Sequence, residues 1–319
     1  MSSEQAKSIF LHAGVLAGLF LLQFFLPEYH HLSVTRIMLL AVFAMGFNLL
    51  FGYTGLLSLG HAMFFAAGMY GAGLSAYHLG WSVPLSFMVG IACGVVLSLA
   101  IGLIALRTTG VAFMIVTLMF SQVAYLTIVY FTTYTRGDEG LVMPESARQF
   151  VLFGQQLSLT HPGTRYNLAL MLLAIVMASV WLLVRGDFGR SLIAIRENEA
   201  RTKMLGYNTF LIKLKALVVS GTISASSGAG YALMFAYIGS SFATIQYSID
   251  PLLYTLLGGA GTVLGPFLGT ALMFYLIDIT SEYTSAYLLV AGIVLVILVL
   301  FFPRGLLGAV RNRWFGWLP

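Results

Sequence analysis

The stretch IMLLAVFAMGFNLLFGYTGLLSLGHAMFFAAGMYGA, residues 37–72, decides the fold. It opens a run from 37 to 106 without a single Asp, Glu, Lys or Arg, and two further charge-free runs cover 216–249 and 251–277. About 20 apolar residues already cross the hydrocarbon core of a bilayer as helix, so runs this long place the chain in a membrane. Composition agrees: of 319 residues, 59% are hydrophobic and 8% charged, where soluble domains carry about 25% charged residues. A water-soluble globule is excluded. The net charge of +5 does not point to nucleic acid, because no long basic run exists and the positive residues lie beside apolar spans, where they encode topology. Cys93 has no second cysteine with which to form an intrachain disulfide.

Working outward, the apolar cores predict an all-α polytopic membrane protein with one transmembrane domain over residues 1–319. Eight spans are expected near 9–26, 37–51, 57–78, 83–106, 110–131, 167–184, 213–237 and 284–302. The first has no small-x-small cleavage site before Pro27 and Glu28, so it reads as a retained helix rather than a signal peptide. Basic residues gather between Arg185 and Lys215 and at Arg304, Arg311 and Arg313, which assigns both regions, and by counting back the N-terminus, to the cytoplasm. Residues 132–166 then form an extracytoplasmic loop. Residues 251–277 must leave and return, because a single straight helix of that length would run about 40 Å, too long for the core. Gly258, Gly259, Gly261, Gly265 and Pro266 put the turn of this re-entrant pair at GGAGTVLGP, 258–266.

Irregular backbone at membrane depth survives only where protein or a water-filled cavity satisfies it. Two stretches qualify: Gly52, Tyr53, Gly55, Ser58, Gly60 and His61 in the first, and Gly258, Gly259, Gly261, Thr262, Gly265 and Pro266 in the second. They are read as a substrate pathway, facing each other across a cavity and offering free backbone N–H groups to a carboxylate. The two stretches are also read as parts of a diverged, inverted repeat. The plainer reading is close helix packing, for which Gly261, Gly265 and Gly269 at four-residue spacing would suffice. Adjacent Gly258 and Gly259, with Pro266 after Gly265, favour a real break. His61 lies deep in the first run; its expected role is a neutral ring bonded to a carbonyl freed at Gly60, rather than proton or metal chemistry. Asp250 before Pro251 is read as a helix N-cap.

The loop 186–212 predicts an amphipathic helix from about Arg190 to Leu205, ended by Gly206, that docks onto a partner. No GxxxxGK[ST], HExxH, CxxC or GxSxG motif occurs, so neither nucleotide hydrolysis nor hydrolase chemistry is expected of this chain, and no metal site. ATP and Mg would belong to partner subunits.

These residues resemble the membrane permease subunits of ABC importers for branched-chain amino acids and their urea and short-chain amide relatives. The resemblance runs over nearly the whole chain. It rests on NLLFGYTGLLSLGHAMFFAAGMYGA (48–72), TRGDEGL (135–141), RENEARTKMLG (196–206), GGAGTVLGPFLGT (258–270) and FPRGLLG (302–308). The long outer loop is more similar to the second permease of the pair. The chain departs from the pattern at Arg136, where a glycine is expected, and in EAR for EAA. The resemblance implies a bacterial inner-membrane subunit that pairs with a homologous permease, sits on two cytoplasmic ATPases and receives substrate from an extracytoplasmic binding protein. Arg196, Glu197, Glu199, Arg201 and Gly206 would couple to the ATPases, and Asp138 and Glu139 would help dock the binding protein. The rival, a stand-alone channel or ion-coupled transporter, would need ion-coordinating carboxylates in the membrane, and only Asp250 and Asp278 come near.

Overall fold

The computed structural model describes residues 3–152, 155–301 and 305–313. Its helices are α1 Ser3–Leu22, α2 Glu28–Asn48, α3 Ala62–Leu79, α4 Val83–Ala105, α5 Val111–Tyr130, the single turn α6 Thr132–Thr135, α7 Pro162–Arg185, α8 Asp187–Met204, α9 Thr209–Phe235, α10 Ile245–Gly258, α11 Gly265–Tyr283, α12 Tyr287–Phe301 and α13 Gly305–Arg313. Five described helices are long and apolar enough to cross a membrane: Glu28–Tyr53, Val83–Ala105, Val111–Tyr130, Pro162–Arg185 and Thr209–Phe235. Lys7–Leu22 is a shorter apolar helix. The chain is a multi-pass, predominantly helical membrane protein.

The second span is longer than its charge-free stretch, because α2 starts at Glu28 and carries Arg36 inside it. The third starts later than expected, at Ala62, since residues 54–61 are loop. The expected pair over 251–277 appears as α10 and α11, separated at Gly259–Leu264.

The outer segment departs from the all-α expectation. There β1 Leu141–Val142 pairs antiparallel with β4 Tyr237–Ile238, and β2 Gln149–Leu152 with β3 Gln155–Ser158. Backbone outside the bilayer has water available, so short ladders are permitted where helix is not compulsory.

At the centre stands α2, packed against α7, α9, α10 and α11 and buried without interruption from Ile37 to Leu50. Around it α3, α4 and α9 approach closely enough that only small residues fit. A Cβ on Gly68 would lie 2.0 Å from the Ala225 carbonyl oxygen, and one on Gly228 1.9 Å from that of Phe65. Backbone proximity of this kind is how membrane helices gain dispersion contacts where lipid removes the hydrophobic drive. By contrast α5 buries only Phe113, Thr117 and Ser121, one stripe at four-residue spacing. Its exposed Ile115, Met119, Val123 and Leu126 face outward.

Candidate functional site

The first break begins where α2 passes into a π-helical turn, Leu49–Tyr53. Such turns loosen the helical ladder, and here the loosening lets Asn48 turn away. Asn48 is buried and reaches the second break: its Nδ2 donates to the Thr262 carbonyl at 2.9 Å, and its Oδ1 accepts from the Gly261 N–H at 2.9 Å. The two breaks therefore touch here, where a cavity between them was expected. A Cβ on Gly52 would stand 2.0 Å from Asn48 Oδ1 and 2.5 Å from the Gly261 nitrogen.

The two stretches also run the same way. Thr255 on α10 lies beside Ala44 on α2, its hydroxyl 3.5 Å from that carbonyl, and Gly261 lies beside Asn48 further along both chains. At the breaks the two stretches run parallel.

The loop after the first break is held by side chains of other helices. Thr117 Oγ1 on α5 accepts from the Leu59 N–H at 3.2 Å, and Ser248 Oγ on α10 accepts from the Ala62 N–H at 3.0 Å. Gly60 presses on α5, where a Cβ would be 2.0 Å from the Thr117 carbonyl oxygen. Ser58 is fully buried, and its hydroxyl finds no partner among the described residues.

His61 does not bond a carbonyl directly. Ser220 Oγ donates to the Gly46 carbonyl at 2.6 Å, so it accepts from His61 Nε2 at 3.1 Å, which assigns the proton to Nε2. The ring is fully buried among Phe43, Phe47 and Phe64. Among the described residues no group of His, Cys, Asp or Glu could hold a metal.

The second break is largely self-braced. Thr262 Oγ1 donates to the Gly259 carbonyl at 2.7 Å and accepts from the Gly265 N–H at 3.1 Å, satisfying the first N–H of α11 ahead of Pro266. Gly259 and Gly261 have φ of +123° and +75°, values that L side chains avoid. Asp250 is not the cap of α10. That role falls to Thr244, whose side chain accepts from the Tyr247 N–H, and Asp250 lies inside the helix.

The loop 186–212 holds two helical pieces rather than one, because Asn198 leaves helical geometry (φ −161°, ψ 98°) inside α8 and its Oδ1 accepts from the Arg201 N–H at 2.9 Å. Just before this kink, the Arg196 guanidinium donates to the Gly52 carbonyl, and its stem packs over Gly55. In the second break, a Cβ on Gly261 would lie 3.5 Å from Arg196 Nη1. Arg196 thus bonds the first break and lies beside the second.

Glu199 also turns inward, accepting from Lys213 Nζ at 2.8 Å, Thr209 Oγ1 at 3.0 Å and Lys203 Nζ at 3.3 Å. Burial alone would raise its pKa, but the bonds from Lys213 and Thr209 outweigh it and hold the carboxyl below the usual range. Glu197, Arg201 and Gly206 are exposed. So are Met204 (86%) and Leu205 (71%), the latter bordering a groove of about 550 Å³ with Phe188, Tyr207 and Ile212. The sequence showed these apolar residues among charges, without assigning them a contact.

In the loop 132–166, Asp138 Oδ1 accepts from Ser240 Oγ at 2.7 Å and from Tyr125 Oη at 3.3 Å, tying this loop to the segment before α10, while Glu139 is exposed. Arg136 adopts φ +57°, which explains why a glycine is expected there. Of FPRGLLG, residues 302–304 lie outside the described residues. Gly305 packs so tightly on α10 that a Cβ would be 2.4 Å from Gly259 Cα.

A membrane domain with two interlocked helix breaks and a kinked element bonded to the first and lying beside the second is a geometry suited to a transport permease. Residues 31–302 match the family described as the permease component of the branched-chain amino acid transport system. The chain belongs to this family, the permeases of ABC importers. It is 26% identical over 304 residues to the high-affinity branched-chain amino acid transport system permease protein LivM of Salmonella typhimurium, covering 88% of this chain and 70% of that one. The autoinducer 2 import system permease protein LsrC of Photorhabdus laumondii is 31% identical over 145 residues, 42% of this chain and 43% of its own. The ribose import permease protein RbsC of Haemophilus influenzae is 29% identical over 140 residues, 38% and 42% respectively. No solved structure matches the chain.

Proposed function

We propose that this chain is a permease subunit of an ATP-driven importer that brings branched-chain amino acids into the bacterial cytoplasm. It spans the inner membrane with eight helices and the α10–α11 pair, both termini cytoplasmic. It pairs with a homologous permease above two ATPases that bind ATP and Mg, and takes cargo from an extracytoplasmic binding protein met near Glu139. The cargo reading is carried by coverage: similarity to the amino acid permease extends over most of both chains, while that to the ribose and autoinducer permeases covers less than half.

Coupling follows from Arg196. Movement of α8 by the ATPases pulls on the Gly52 carbonyl and on the Gly261 turn, so force on one cytoplasmic element reaches both breaks. Exposed Met204 and Leu205, with Glu197 and Arg201, supply the apolar and charged contacts to the ATPase, whereas Glu199 serves to anchor α8 on α9.

The complete importer in proteoliposomes, with ATP on the cytoplasmic face, should accumulate L-leucine and not ribose; ribose uptake without leucine uptake would overturn the cargo reading. In the same vesicles Arg196→Ala should lower leucine moved per ATP hydrolysed by about tenfold, the cost of one charge-assisted bond of roughly 1.5 kcal/mol. An unchanged ratio would remove Arg196 from coupling.

A further inference from the structure

Two opposite charges in the half of the bundle away from the breaks have no ion partner among the described residues. Arg36 is an exposed residue on α2, with its guanidinium 5.1 Å from the centre of the Phe235 ring. Asp250 lies in the second turn of α10, its carboxylate without a hydrogen bond among the described residues. An uncompensated charge at membrane depth is costly, and such residues are kept where the charge is used.

Their relative level follows from helix geometry. The Ala44–Thr255 contact joins parallel α2 and α10. Counting from it toward the start of each helix, Arg36 is about 12 Å away and Asp250 about 7.5 Å, so along the helix axes the two charges differ by about 4.5 Å, a little less than one turn. Tyr247 lies within electrostatic reach of both. Its ring stacks on Phe43 at 5.7 Å and meets Phe242 edge-on at 5.0 Å, forming an aromatic wall beside the charges.

A cation and an anion at this offset, unpaired with each other and walled by rings, complement a ligand carrying both charges on a short apolar body. A sugar or an amide, having neither charge, would leave both residues uncompensated. We propose that Arg36 and Asp250 form a station for a zwitterionic amino acid in the permease itself: Arg36 takes the α-carboxylate, Asp250 the α-ammonium, and Phe235 and Tyr247 the aliphatic side chain. The proposal rests on the amino acid reading above and adds where that cargo is held.

The test uses the solubilised permease–ATPase complex without binding protein, with L-leucine affinity measured by calorimetry. Arg36→Gln and Asp250→Asn should each weaken leucine at least about 30-fold, as expected when one partner of a desolvated charge pair is removed. 3-Methylbutylamine, lacking the carboxylate, should bind native protein equally weakly and lose little further affinity in Arg36→Gln. 4-Methylpentanoate, lacking the ammonium, should behave likewise toward Asp250→Asn. Arg36→Lys should retain leucine binding within about tenfold, which separates charge from folding. Leucine affinity unchanged in both neutral variants, or Lys and Gln behaving alike at position 36, overturns the station. If the unaltered importer takes up leucine while these variants bind it normally, the cargo reading survives and only the station falls.

Discussion

The two broken stretches solve the same problem with different partners. Around the first, between Gly52 and Ala62, freed backbone N–H groups are met by Thr117 and Ser248, side chains from two other helices, and a third helix holds the His61 ring through Ser220. In the second, between Gly258 and Pro266, Thr262 satisfies two backbone groups of its own turn, and among the described residues Asn48 is the side chain from elsewhere that hydrogen-bonds it. One break is therefore a property of the assembled bundle, the other mainly of its own short turn. Asn48 and Arg196 join them, so the self-braced turn can report strain to the borrowed one.

The largest expected effect comes from adding a single methyl group to either break. In Gly258→Ala the new carbon would sit 1.8 Å from the Gly265 carbonyl oxygen, backbone against backbone within one turn. The loss of stability should exceed about 3 kcal/mol. Gly60→Ala meets the Thr117 carbonyl at 2.0 Å, but α5 is peripheral and can shift, so its loss should be smaller. Thermal unfolding of the detergent-solubilised protein ranks the pair; the reverse order would mean that the first break is the stiffer one.

Next are the hydrogen bonds. Asn48→Ala strips partners from the Gly261 N–H and the Thr262 carbonyl together and should cost about 2–3 kcal/mol. Thr117→Val removes one acceptor from the first break and should cost about 1 kcal/mol. Equal shifts in melting temperature for the two variants would mean that the Asn48 link between the breaks is worth no more than the single bond from Thr117.

The smallest effect lies outside both breaks and calibrates the scale. Arg136 holds φ +57° with a side chain, so Arg136→Gly should stabilise by about 1 kcal/mol, read as a rise of a few degrees in the same melts. A fall would show that the arginine has contacts that offset its strained backbone.

The sequence alone determined that this chain lies in a membrane, where most helices run and where the helix must break, because charge-free length, glycine and proline act locally and leave a mark at their own positions. It also carried the helix of the loop 186–212, since an amphipathic pattern ended by Gly206 is local too. Local patterns misled where a longer range decided the outcome. Arg36 made the second span look shorter than it is, and Asp250 before Pro251 fitted a cap that Thr244 supplies instead. What only the tertiary structure decided are the pairings across the chain: Asn48 with Gly261, Arg196 with Gly52, His61 with Ser220, and Arg36 over Phe235. A hydrogen bond across a hundred residues or more depends on how helices pack, and an asparagine at the end of an apolar run looks the same in sequence whether it faces a distant turn or its own helix.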